Sequence, residues 1–180
     1  VAYLDGVSYR VETPSATASC LMFIFFFLVS AFAQSPEIQV DLHLDTPTQM
    51  LNKGLPLDSN TGLEAGLPQL RAGGSNVVVQ VLWPPRKTEH KKRALDLLAV
   101  VERSIVGNEE LVLANEPEEA RSIVAEGKVA ILLSMEGAHG LGGEADWAKV
   151  FQQFYDRGLR LLGITWSFSN RFAGSSGDGG

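Results

Sequence analysis

Cysteine is almost missing from this chain: of its 180 residues, only Cys20 is one. A lone thiol closes no disulfide within the chain, so cysteine usage is silent on the redox compartment. A basic excess is missing too. Lys and Arg number 15 against 21 Asp and Glu, a net charge of −6, with both signs interspersed. That is not the electrostatic footprint of a nucleic-acid binder, and no nucleic-acid partner is expected. The one basic cluster, Arg86-Lys87 with Lys91-Lys92-Arg93, is broken by Glu89 and reads as a solvated helix face. Long hydrophobic runs are scarce. The most apolar one, residues 20–33, falls short of the roughly 20 residues that a membrane-spanning helix needs. What remains, 45% hydrophobic and 20% charged residues, is the balance of an ordinary globular domain.

The apolar run ends in Ala31-Phe32-Ala33, a small-x-small pattern, and polar Gln34-Ser35-Pro36-Glu37 follows. This is the hydrophobic region and cleavage site of a secretory signal peptide, although no Lys or Arg lies between Met22 and the run. The reading divides the chain into a polar, structureless upstream extension over residues 1–21, a signal peptide over 22–33 and a mature part over 34–180. A secreted, periplasmic or extracellular location is expected. Contact with a membrane would come only through export or an anchor.

The mature part is organised around Ile38-Gln-Val-Asp-Leu-His-Leu-Asp45. Apolar and polar residues alternate strictly, the period of a strand with two unlike faces. His43 and Asp45 end the polar face, two residues and therefore roughly 6.5 Å apart along the strand. Thr46-Pro47 stops it. Asp45 has a second reading as the N-cap of a helix over residues 46–53. Residues 54–75, rich in Gly, Pro, Asn and Asp, read as a long loop over the same strand end, with a short helical piece near Leu67. Val77-Val-Val-Gln-Val-Leu82 reads as a buried strand, residues 87–106 as a helix, and 118–126 as a shorter helix behind Pro117. Val129-Ala-Ile-Leu-Leu-Ser-Met135 is the next buried strand, 146–157 an amphipathic helix and 159–165 a fourth strand.

This alternation predicts an α/β fold with a parallel sheet. Four strands are too few to close a parallel barrel, which takes eight in about 250 residues, so the expectation is a barrel truncated after about four strands. Glu136 ends the third predicted strand, where a lone charge after an apolar run would be costly to bury, and Gly137-Ala-His139 follows. Strand ends of one barrel face converge, so His43, Asp45, Glu136 and His139 are candidates for one site. Imidazole nitrogen and carboxylate oxygen suit zinc. Each residue also has a plain reading: a core histidine, a helix cap, an ion-paired glutamate, a loop histidine.

Four segments, Val40-Asp-Leu-His-Leu-Asp45, Leu67-Pro-Gln-Leu-Arg-Ala-Gly-Gly74 with its valine-rich strand, Ser134-Met-Glu-Gly-Ala-His-Gly-Leu141 and Gly158-Leu-Arg-Leu-Leu-Gly-Ile-Thr-Trp-Ser-Phe-Ser-Asn170, run in the same order as in the membrane (renal) dipeptidase family of metallopeptidases and resemble it. The resemblance implies a TIM (β/α)8 barrel of amidohydrolase type with two zinc ions per complete site. It implies that His43 and Asp45 are zinc ligands, that Glu136 bridges the two zincs as a catalytic carboxylate, and that His139 contacts substrate near the scissile carbonyl. The implied reaction is hydrolysis of small dipeptides by a metal-activated hydroxide, and a homodimer is compatible with it. Trp166 stands where the family usually has a histidine. The family's two later histidine ligands, its substrate-binding arginine and its acid/base aspartate would lie past Gly180, so the fragment itself is expected to be inactive. Two other readings stay open: another metal-dependent amidohydrolase on the same barrel, and a non-catalytic secreted fragment or binding module.

Overall fold

A computed structural model of the chain describes residues 2–4, 7–9, 36–143 and 147–180. The chain divides into two units, residues 1–35 and 36–180. In the first, β1 (Ala2–Leu4) and β2 (Val7–Tyr9) pair antiparallel, with Leu4 opposite Val7. The upstream stretch is therefore not structureless throughout. The overlooked signal is Asp5-Gly6 between two short β-prone runs, a two-residue hairpin pattern. The expected signal peptide, residues 22–33, lies outside the described residues. Among those described, no helix is long and apolar enough to cross a membrane.

The second unit is an α/β fold on a parallel sheet of five strands. They are β3 (Val40–Leu44), β4 (Val77–Leu82), β5 (Leu111–Leu113), β6 (Val129–Glu136) and β7 (Leu159–Gly163). The order is β3-β4-β6-β5, and β7 also pairs with β6. β4 runs along one edge of β6 from Ala130 to Met135. β5 and β7 divide the other edge: β5 takes Val129 to Ile131, and β7 takes Leu133 to Glu136. The sequence alone suggests four strands. β5 escapes it because three residues, Leu111-Val-Leu113, are too few for a period to show.

Helices cover one face of the sheet. α1 (Thr46–Lys53) starts behind Pro47 and ends at Gly54, whose φ of 67° carries the chain out of the helix. α2 (Leu67–Gly73) leads into β4. α3 (His90–Gly107) buries Ala94, Leu97, Leu98 and Val101, one stripe of a 3.6-residue period. α5 (Trp147–Asp156) buries Val150 and Phe154. Their apolar stripes close a core with Met50, Leu82, Ile131, Leu133 and Met135. In β6 the odd-numbered residues face this core, while Leu132, Ser134 and Glu136 on the other face are only partly buried.

That other face is closed at its N-terminal end. α4 (Pro117–Ala125) packs Ala120, Ile123 and Val124 against Val77 and Ala130 in a second, smaller core. The long stretch between α1 and α2 is packed rather than loose. Leu57 and Leu63 are buried, the Leu57 N–H donates to Ser104 Oγ at 3.0 Å, and Lys53 Nζ donates to the Gly62 carbonyl at 2.6 Å. On the strands at either edge, apolar side chains stay exposed, Leu42 of β3 at 73% and Leu161 of β7 at 44%.

Candidate metal centre

β3 enters the site through an irregularity. Asp41 pairs with Val78, but the next pair is Leu44 with Gln80, so three steps on β3 meet two on β4. Such a bulge re-aims the side chains around it. Asp41 fixes it: its Oδ1 accepts a hydrogen bond from the His43 N–H at 3.1 Å. Nothing in the sequence reading singled out Asp41. Its signal is an Asp two residues ahead of a candidate ligand, the spacing at which an aspartate hooks its own backbone.

Asp45 follows at the turn into α1. It occupies the N-cap position of that helix, as expected, but makes no side-chain cap bond, so its carboxylate is not spent there. The turn is pinned from behind by Thr46, which is buried and donates from Oγ1 to the Ala65 carbonyl at 3.3 Å.

Glu136 arrives from β6, two places along the sheet from β3. The end of β6 is held by β7: the N–H groups of Gly137 and Ala138 donate to the Gly163 and Ile164 carbonyls, each at 3.0 Å. His43 Nε2 lies 3.8 Å from Asp45 Oδ2 and 3.8 Å from Glu136 Oε2. One donor atom from each of the three falls within 4.8 Å of the others. His43 and Asp45 are half exposed, and Glu136 lies deeper, at 27%. Burial pushes the Glu136 carboxyl above the usual carboxylate range. The imidazole of His43 pulls it back, and the Asp45 carboxylate pushes it further up.

His139 does not join them. Gly137, with φ at 92°, turns the chain off the strand into a short 3-10 helix, Ala138–Leu141. There the His139 ring is 5% exposed. Its Nε2 lies 2.8 Å from the Pro84 carbonyl, which can only accept, so Nε2 carries the proton. Nδ1 is buried and without a hydrogen-bond partner. The rings of His90 and Phe168 flank it at 4.7 and 4.6 Å. Burial lowers the His139 pKa, the Pro84 bond raises it, and His90 lowers it further. With a depressed folded pKa, the unfolded chain takes up this proton more readily, so stability drains as pH falls through the imidazole range. Thermal unfolding followed from about pH 7.5 to about pH 5.5 should show a falling Tm, and His139→Gln should flatten that slope. An unchanged slope in the variant would assign the loss to other groups.

Two indoles complete this end of the sheet. Trp83 follows the last residue of β4, and Trp166 lies just past β7. Their centroids are 5.1 Å apart in an edge-on arrangement.

A family model described as membrane dipeptidase, peptidase family M19, matches residues 32–179. Among solved structures, the metallopeptidase dipeptidase AC superposes with a TM-score of 0.60 at 24% identity, over 73% of this chain and 44% of its own. A metallopeptidase from Rhodobacter sphaeroides, liganded with a phosphinate mimic of the dipeptide L-Ala-D-Ala, gives 0.57 at 22% identity, over 72% and 46%. The probable dipeptidase PvdM from Pseudomonas aeruginosa gives 0.65 at 18% identity, over 87% and 40%. The chain thus spans less than half the length of the structures it matches. At these identities the likeness is one of fold: the α/β arrangement of metallopeptidases built on a TIM barrel of amidohydrolase type.

Proposed function

Because the chain belongs to the membrane dipeptidase family, peptidase family M19, we propose that the whole protein hydrolyses the peptide bond of small dipeptides with a divalent metal held by His43, Asp45 and Glu136. The observation that carries this reading is the meeting of one donor atom from each of these three side chains within 4.8 Å at the C-terminal ends of β3 and β6. One imidazole and two carboxylates are donors that suit zinc. The electrostatics of Glu136 fit as well. A partly buried carboxylate beside a second carboxylate holds its proton too tightly, and a cation among them supplies the positive charge that the site lacks.

In this proposal each residue has a separate task. Neutral His43 would offer the lone pair of Nε2, while Asp41 Oδ1 holds its backbone N–H. Asp45 brings charge from the turn into α1. Glu136 lies deeper than the other two and would hold the metal from that side. When bound, zinc supplies Lewis-acid chemistry, polarising a peptide carbonyl and drawing the pKa of water toward neutrality. His139 is reassigned from substrate contact to positioning. Its donor is committed to Pro84 and its ring is buried, so it braces the turn behind Glu136. Export through residues 22–33 belongs to the same proposal.

The test uses the full-length gene product and a panel of dipeptides, with metal analysis before and after dialysis against a chelator. Chelation should lower the rate at least about a hundredfold, and zinc should restore it. Hydrolysis that survives complete metal removal defeats the reading.

A further inference from the structure

Trp83 follows β4 and Trp166 lies past β7, the strands on opposite sides of β6. β4 and β7 each pair with β6, so their backbones run roughly 10 Å apart. The indole centroids are only 5.1 Å apart, so the two rings close that gap beyond the strand ends. The register shows where. Leu82 pairs with Met135, which puts Trp83 beside Glu136 on one flank. Gly163 pairs with Glu136 on the other. Trp83 also has the alternation of Val81, whose partner is Ser134, so it shares the face that carries Glu136.

The pair is not ordinary core. Trp166 keeps 37% of its surface exposed, and Ile164 next to it keeps 48%. Trp166 is held in place from behind, because its carbonyl accepts from Ser175 Oγ at 2.7 Å and Phe168 packs 6.0 Å away. A partly open indole at the same end of the sheet as Glu136 is a surface against which an apolar group gains by leaving water.

We propose that the Trp83–Trp166 pair sets the side-chain preference of the site, selecting substrates that carry a large apolar side chain, aromatic or branched aliphatic, next to the scissile bond. This rests on the dipeptidase reading, and its test separates the two. The zinc-loaded full-length protein is assayed on Gly-Gly, Gly-Phe, Phe-Gly and Gly-Leu. Binding of the same peptides to the metal-free protein is followed by calorimetry. The wild type should prefer one of the phenylalanine peptides over Gly-Gly by about tenfold or more in kcat/KM. Trp166→Ala should cut that preference ratio about tenfold, and Trp166→Phe should keep most of it. Calorimetry should show the same ordering of affinities and the same collapse in Trp166→Ala. A preference ratio unchanged in Trp166→Ala, or no preference in the wild type, overturns the proposal. If no dipeptide is hydrolysed, the dipeptidase reading falls, while the calorimetric ordering still decides whether the indole pair selects apolar side chains.

Discussion

Glu136→Gln is expected to abolish metal binding and dipeptide hydrolysis while leaving the metal-free protein at least as stable as the wild type. Two opposed effects meet at this residue. In the metal-free fold its carboxyl is raised, first by burial and then by Asp45, with His43 opposing. The folded state thus holds that proton more tightly than the unfolded chain. Stability is fullest below the ordinary carboxylate range and is lost as pH rises through the raised value, so at neutral pH the ionised group costs the fold something. Glutamine keeps the shape and removes the charge. With metal the balance reverses. A ligand at a hundred times its Kd adds about 2.7 kcal/mol, which for a domain of this size lifts the Tm by about 5–10 °C. The variant should lose that rise. Its rate should fall at least about a thousandfold, the equivalent of about 4 kcal/mol of carbonyl polarisation. Calorimetric melts with and without zinc, beside a dipeptide assay, read both effects. A variant that still binds zinc and still turns over removes Glu136 from the site.

The parts of this arrangement that sequence reveals are those carried by local periodicity. Alternation along residues 38–45 marks a strand that ends near His43 and Asp45, and an apolar run ending in a charge puts Glu136 at a strand end. Parallel strands separated by helices follow from the same patterns. What sequence leaves out depends on partners far along the chain. The bulge in β3 exists only relative to β4, so the hook from Asp41 to the His43 N–H could not be foreseen without the register. Val77-Val-Val-Gln-Val-Leu82 hides the meaning of Trp83, whose importance lies in an indole that follows a different strand. His139 shows the converse. Three residues after Glu136 suggests a shared role, yet Gly137, with φ at 92°, turns the chain into a 3-10 helix, and the ring's Nε2 is taken by the Pro84 carbonyl.

Gly137→Ala should destabilise the fold by about 2–5 kcal/mol, lowering the Tm by about 5–15 °C, and should weaken metal binding with it. The backbone at φ 92° and ψ 116° is a conformation that L side chains rarely adopt, which costs about 1–3 kcal/mol. A Cβ at this position would also overlap the His139 ring. The ring has little room to retreat, held at Nε2 by Pro84 and flanked by His90 and Phe168. The displaced atoms are one peptide from Glu136, so the strain reaches the ligand directly. Gly163 is the internal comparison. It sits beside Glu136 in the adjoining strand, its φ is unexceptional, and the nearest atoms to an added Cβ are 3.6 Å away, an ordinary contact. Gly163→Ala should therefore stay within about 1 kcal/mol of the wild type. Denaturant melts of both variants, each paired with a zinc titration, separate backbone strain at the end of β6 from crowding in general. Equal tolerance of the two alanines would mean that the turn at Gly137 relaxes without disturbing Glu136, and the rigid delivery of that carboxylate would have to be abandoned.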